Sequence, residues 1–164
     1  METLRLALRY FEEQDLDSLS AILADPEVMQ FSAVGPMARA QTQEFLREIL
    51  ASYQQQGYGL YAATHQEQQL IGYCGLIRQV VDGNQEIEVG YRLARFYWGK
   101  GLATEAATAV RDYGLHQRGF KRLISMIDPN NYRSIRVAEK IGMEYEKDSV
   151  FKNIPVRIYS PSNS

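Results

Sequence analysis

Residues 86–127 constrain this chain more than any other stretch, because the hydrophobic period changes there from two to three-and-four and back, with two glycines at the first change. In Glu86-Ile87-Glu88-Val89-Gly90-Tyr91-Arg92-Leu93 apolar and polar residues alternate, as in a strand with two unlike faces. Leu102, Ala106, Val110 and Tyr113 then share one face of a long helix, and residues 123–127 read as a short strand. Gly99 and Gly101 stand between strand and helix in Trp98-Gly99-Lys100-Gly101-Leu102-Ala103-Thr104. Glycines let backbone N–H groups converge on an anion without Cβ atoms in the way. The helix start adds partial positive charge and N–H groups that have no intrahelical partner, so a phosphate is the natural guest. A tight turn that only caps the helix would use the same glycines, and the glycines alone leave both readings open. The spacing is neither Gly-x-x-x-x-Gly-Lys-Ser/Thr nor Gly-x-Gly-x-x-Gly, which argues against a nucleotide-dependent enzyme using ATP or NAD.

The remaining elements surround this unit. Alternation over residues 4–9 predicts a strand, and Asp15 or Asp17 is placed to cap a helix with the stripe Leu16, Leu19, Ile22 and Leu23, ended by Asp25-Pro26. Phe45, Leu46, Ile49, Leu50 and Tyr53 mark a second helix that Gly57 terminates. Runs at 58–64, 70–78 and 86–93, separated by a polar turn at 66–69 and by Asp82-Gly83, read as an antiparallel meander. Ile135, Ala138 and Ile141 mark a last helix, followed by strands near 144–147 and 151–159 and a frayed tail at 160–164. With 164 residues and no repeat or linker, the expectation is one domain over residues 1–164, of α+β class.

Charge and chemistry exclude several partners. The 18 basic and 20 acidic residues leave a net charge of -2, which points to neither nucleic acid nor an anionic membrane. The chain lacks an apolar run of roughly 18 residues and a secretory leader, and its single Cys74 lies in an apolar alternating run, so a soluble, cytoplasmic protein with a buried structural thiol is expected. His65 and His116 are far apart, so no metal site and no acyl-enzyme triad is predicted.

Three ordered segments resemble the GNAT acetyltransferases, and more narrowly the RimJ/RimL-type ribosomal-protein N-terminal acetyltransferases. They are Leu6-Ala7-Leu8-Arg9 with Asp25-Pro26-Glu27-Val28-Met29; Val89-Gly90-Tyr91 with Trp98-Gly99-Lys100-Gly101-Leu102-Ala103-Thr104-Glu105-Ala106; and the run from Asn131-Tyr132-Arg133-Ser134 to Ile141-Gly142-Met143. The resemblance implies an acyl-CoA N-acyltransferase fold, a splayed mixed sheet flanked by helices. It implies that acetyl-CoA lies with its pantetheine arm between the strands ending near Leu93 and beginning near Leu123. Its pyrophosphate would sit on Gly99, Gly101, Ala103 and Thr104, with Tyr91, Leu93, Trp98, Lys100, Leu102 and Asn131 completing the site. Arg95-Phe96 departs from the Pro-Glu usual before the loop, which bears on the cleft mouth.

Acetyl transfer to an amine needs a neutral amine, a polarised carbonyl and a proton for the thiolate. Glu86 and Glu88 share one strand face with Arg92, taken as the wetter face, and the resemblance favours Glu88 as the general base, acting directly or through water. Two glutamates that merely solvate an exposed face would show the same alternation. A backbone N–H near residues 91–93 would polarise the carbonyl. The position of the tyrosine that protonates the thiolate in many GNAT enzymes corresponds to Ala138, and the narrower branch suggests Ser134 instead, with Asn131 holding the pantetheine arm or a water. Helix capping by Asn130, Asn131 or Ser134 is the alternative use. Arg133, Arg136 and Lys140 form a stripe in which Arg136 is favoured for the phosphates. Tyr53, Tyr58, Tyr61, Phe96 and Tyr97 either line the acceptor cleft or belong to the core.

The reading is an acetyl-CoA-dependent transfer to a primary amine (a protein N-terminus, peptide or small amine) by direct attack in a ternary complex. The alternative is a non-catalytic acetyl-CoA-binding or sensing module. Residues 31–39 and the C-terminal hairpin carry no readable acceptor code, and monomer and homodimer both stay open. With Glu88 as the base, Glu88→Gln is expected to lower transfer most at low pH while leaving cofactor affinity intact.

Overall fold

The meander forms as the alternation predicts, in a computed structural model that describes residues 1–66 and 69–162. β1 (Leu6–Arg9), β2 (Leu60–His65), β3 (Gln69–Val81) and β4 (Asn84–Leu93) make an antiparallel sheet in that order, with Cys74 opposite Tyr91 and Ala63 opposite Leu8. β3 and β4 run further than their hydrophobic pattern, down to the pair Val81 and Asn84. Asp82 (φ 51) and Gly83 (φ 79) are both left-handed, the two-residue turn whose twist matches the flanking strands. Part of the turn predicted at 66–69 lies outside the described residues.

A second sheet holds β5 (Ser125–Ile127), β7 (Ile154–Pro161) and β6 (Met143–Phe151), in the order β5-β7-β6. The two sheets meet at one parallel bridge, Glu88 with Ile124. There Ile124 N–H donates to the Ile87 carbonyl (2.9 Å) and Val89 N–H to the Ile124 carbonyl (2.8 Å). The backbone pairing of β4 with β5 ends at this bridge, so the mixed sheet opens into a V.

Helices close both faces. α3 (Leu102–Asp112) buries Leu102, Ala106, Ala107 and Val110 against Ile71, Leu76, Val89 and Leu93, and the two alanines let it sit close to the sheet. It widens into one π-helical turn, Tyr113–Gln117, where Gly114 leaves room for Leu76 and Leu123. α4 (Tyr132–Lys140) adds Ala138 to the same core. On the other face α1 (Leu16–Leu23) and α2 (Arg39–Gln56) pack Leu19, Leu23, Leu46 and Ile49 onto Leu60, Ala62 and Tyr73. Each such large side chain contributes about 1.5–3 kcal/mol on burial. Gly57 (φ 80) ends α2 as its position predicts.

Two expectations are corrected. Asp15 stands at the start of α1 but does not cap it: its carboxylate takes two hydrogen bonds from Arg9 (2.8 and 2.9 Å) and one from Glu12 N–H (2.8 Å), while Asp17 pairs with Arg39. A bidentate guanidinium partner is stronger than a cap. Ser160 is not frayed but lies buried in β7 with its hydroxyl on Glu146 (3.0 Å), while residues 163–164 of the predicted tail lie outside the described residues.

Candidate active site

A cleft of about 1030 Å³ follows the V, from the glycine turn past the parting of β4 and β5 to the space beneath α2. The parity of β4 organises it. Side chains of Val89 and Leu93 enter the core under α3, while those of Glu88 and Arg92 face the opposite side with their cross-strand partners Ile77 and Tyr73. Along the backbone, residues 87 and 89 direct their polar groups at Ile124, so the same alternation sends the Tyr91 N–H into the gap.

The turn itself is built on backbone conformation. Gly99 (φ 75) and Gly101 (φ 78) are left-handed. A Cβ at Gly99 would meet nothing within 4 Å, and one at Gly101 only Arg5 Nη2 at 3.4 Å, so left-handed φ rather than crowding by the protein requires glycine here. The first intrahelical bond of α3 runs from Glu105 N–H to the Gly101 carbonyl (3.1 Å), leaving the N–H groups of Leu102, Ala103 and Thr104 without helical partners. This is the geometry that suits a phosphate group.

A clamp absent from the sequence reading holds the turn from behind. Arg5 Nη1 donates to the Lys100 carbonyl (2.8 Å) and Arg5 Nε to Glu105 (2.8 Å), and Glu105 also accepts from Arg5 N–H (2.7 Å) and the Thr3 hydroxyl. Burial pushes the Glu105 carboxyl up, but the hydrogen bonds from Thr3 and Arg5 outweigh it and hold it below the usual range. The one sequence signal was an acid in the first turn of a helix.

The other predicted residues take definite places. Trp98 donates its indole N–H to the Leu93 carbonyl (2.9 Å), and the guanidinium groups of Arg133 and Arg95 lie over its ring at 4.0 and 4.8 Å. Arg95 also pairs with Glu27 (2.9 Å), tying the departure at 95–96 to the segment before α2. Lys100 is the one predicted cofactor residue that does not line the cleft; its ammonium lies over the Phe96 ring (4.2 Å), a cation–π contact on the outer surface. Asn131 caps α4, accepting from Ser134 N–H (3.3 Å), so its side-chain oxygen is already engaged. Tyr91 crosses the gap to donate its hydroxyl proton to the Ser134 carbonyl (2.9 Å). Ser134 and Arg136 both line the cleft, Arg136 exposed on α4, and Ala138 is wholly buried. Tyr58 and Tyr61 belong to the core, and Tyr53 binds Phe11 N–H and the Leu60 carbonyl; of the aromatic set only Tyr97 borders the cleft.

The two glutamates of β4 part ways. Glu86 is held by Arg122 (3.0 Å), which also takes Glu146 in two bonds (2.8 and 2.9 Å), so it belongs to an ion-pair network. Glu88 has no arginine on it. It accepts from Gln79 (3.1 Å) and from Met126 N–H, and lies half-buried among protein atoms with part of its surface on the cleft. Burial raises its carboxyl to about 7, against the opposing pull of Gln79, Met126 and the charge of Arg92. The face predicted to be wet is therefore one of a paired and a desolvated carboxylate. Among the described residues no group of three or more His, Cys, Asp or Glu is placed to hold a metal ion, and no helix is long and apolar enough to cross a membrane.

The chain is similar to known proteins in sequence and in fold. The sequence profile of the acetyltransferase (GNAT) domain matches residues 5–144. The chain is 38% identical to the uncharacterized protein YkkB of Bacillus subtilis (strain 168) over 157 residues, 94% of this chain and 91% of that one. It is 31% identical to the uncharacterized N-acetyltransferase p20 of Bacillus licheniformis over 151 residues, 89% and 84% of the two chains. A crystal structure of an acetyltransferase (GNAT family) from Bacillus anthracis is similar at a TM-score of 0.80 and 27% identity, covering 98% of this chain and 95% of that one.

Proposed function

The chain belongs to the GNAT acetyltransferases, and from that premise we propose that it binds acetyl-CoA in the V and moves the acetyl group to a primary amine deprotonated by Glu88. The observation that carries this reading is the parting of β4 and β5 just past the Val89–Ile124 bond, where strand parity directs the Tyr91 N–H into the gap and Glu88, a carboxyl raised to about 7, borders the same cleft.

The chain's residues divide the work. The left-handed turn and the N–H groups of residues 102–104 take the pyrophosphate, with Arg136 and Arg133 supplying positive charge from α4. Bound acetyl-CoA supplies a thioester carbonyl as the electrophile. The Tyr91 N–H donates a hydrogen bond where negative charge develops on that oxygen. Glu88, directly or through one water, takes the proton from the ammonium so that the amine presents its lone pair. The Ser134 hydroxyl, which makes no bond to the chain among the described residues, faces the cleft as donor to the departing sulfur. Asn131, whose oxygen caps α4, has its side-chain amide left for the pantetheine arm or a water.

The base also narrows the acceptor. An α-amine of pKa about 7.7–8.0 gives its proton to a base at about 7 at a cost of about 1 kcal/mol, whereas a lysine amine near 10.4 costs about 5 kcal/mol. An α-amine is therefore favoured, in keeping with the narrower likeness to RimJ/RimL-type enzymes in the three ordered motifs. The test is CoA release with α-amine and alkyl-amine acceptors from pH 6 to 9. Wild-type protein should lose rate below about pH 7, and Glu88→Gln should be slow throughout while keeping acetyl-CoA affinity. Equal rates for the two proteins would remove Glu88 from the reaction, and affinity without turnover in wild type would favour the sensing module.

A further inference from the structure

Beyond Glu88 the cleft continues as an arm between α2 and the face of the sheet that bears this carboxyl. Its floor is apolar from the base outward. Ile77, the cross-strand partner of Glu88, lies over Gly90, where a Cβ would meet its Cδ1 at 2.8 Å. Tyr73 lies on the same face of β3, and the Phe45 ring packs against it from α2 with centroids 5.7 Å apart. Met37 and Ile49 join these three in one apolar cluster. Ile77, Phe45 and Met37 are half-buried and line the cleft, so part of each is left for a guest.

The polar groups that face this arm are mostly committed to the chain itself. Gln41 accepts from Ala38 N–H (2.8 Å), and the Ser52 hydroxyl donates to the Ile49 carbonyl (2.6 Å). Gln56 donates to the Tyr58 carbonyl (3.3 Å) and Gln79 to Glu88 (3.1 Å). Glu27 and Glu44 pair with Arg95 and Arg47. Arg92 and Lys152 border the cleft, and among the described residues neither has a carboxylate within ion-pair distance. Against these two cations α2 sets one exposed acid without an ion pair, Glu48. A second ammonium on the acceptor would meet them, and a polyhydroxyl body would lose water without gaining new partners. Resting on the amine-transfer reading of this cleft, we propose that the acceptor is an amine on an apolar alkyl or aryl body, rather than a polyamine or an amino sugar. The wall of Met37, Phe45 and Ile77 holds that body while its ammonium meets Glu88, so these side chains set the acceptor preference.

The test uses n-butylamine, n-hexylamine and n-octylamine, which differ in length and hardly at all in basicity, so their ratios isolate the wall from the base. Their kcat/KM at alkaline pH and their Kd for the CoA-bound protein are measured beside those of spermidine and glucosamine. Each methylene that leaves water for the wall should improve both quantities about 4-fold, on the order of 100-fold from butyl to octyl. Phe45→Ala should lower the octyl-to-butyl ratio about 10-fold and Phe45→Leu should restore most of it, with melting temperature and CoA affinity read separately. Met37→Ala, at a half-buried residue before α2, should lower the ratio in the same direction and serves where Phe45→Ala does not fold. Ratios near one along the series, ratios that these variants leave unchanged, or spermidine or glucosamine preferred to octylamine would overturn the assignment while leaving acetyl transfer intact. Failure to bind acetyl-CoA, or binding without transfer to any of the amines, would instead remove the underlying reading. The Kd ratios need no turnover and uphold or overturn the apolar arm in that case too.

Discussion

Glu88→Gln should stabilise this protein at alkaline pH while removing the proposed base. Burial raises the Glu88 carboxyl from 4.5 to about 7, so the folded state holds this proton more tightly than the unfolded chain. The stabilisation from that proton is full below pH 4.5 and is lost as pH rises through about 7. At pH 8 the ionised carboxylate therefore costs up to about 3 kcal/mol, at 1.36 kcal/mol for each tenfold change in proton affinity. The open part of its surface brings the figure nearer 2 kcal/mol. Glutamine has the same shape, can accept from Gln79 and Met126 N–H through its oxygen, and has no charge to desolvate. For a chain of this size 2 kcal/mol corresponds to a rise in Tm of about 4–8 °C. Scanning calorimetry of both proteins at pH 5 and pH 8 should show that rise at pH 8 and little at pH 5. Equal shifts at the two pH values, or a variant less stable at pH 8, would refute the desolvated carboxylate. The same shift reverses the expectation for activity. With an ordinary carboxylate the variant would lose most at low pH. A group at about 7 is only about one-tenth ionised at pH 6 and about nine-tenths at pH 8, so the loss is greatest above neutrality.

Three further outcomes follow from the site. Gly101→Glu places a carboxylate and a side chain on a left-handed residue (φ 78) beside unpartnered N–H groups, and should abolish acetyl-CoA binding in calorimetry; near-normal affinity would refute the phosphate site. Arg5→Ala removes the bonds to the Lys100 carbonyl and Glu105, and should raise KM for acetyl-CoA several-fold with little change in kcat; an unaltered KM would make the clamp purely structural. Cys74 is wholly buried and burial pushes its thiol up, so alkylating reagents should modify it only after unfolding, and rapid labelling of native protein would contradict its packing.

The parts legible in the sequence were those in which a local pattern decides the structure. Alternation over 86–93 gave the two faces of β4, Gly57 ended α2, and the glycines at 99 and 101 preceded α3 as read. What escaped depends on which side chains meet once the chain is folded. Glu86 and Glu88 are equivalent by parity, and only Arg122, 36 residues beyond Glu86, makes one an ion-pair member and leaves the other desolvated. The Arg5–Glu105 clamp joins residues 100 apart, with no periodicity to betray it. Asp15 reads as a helix cap until Arg9 claims both of its oxygens. Lys100 lies within the motif, yet its side chain turns to the Phe96 ring while its carbonyl meets Arg5.

The central claim, that the glycine turn and the V together bind acetyl-CoA, is tested most directly by the thermal stability of the wild-type protein with acetyl-CoA, CoA, ATP and NAD. A ligand at about 100 times its Kd stabilises by about 2.7 kcal/mol. Acetyl-CoA and CoA should raise the melting temperature by several degrees and ATP and NAD should not. Equal shifts with ATP or NAD, or none with acetyl-CoA, would contradict the account.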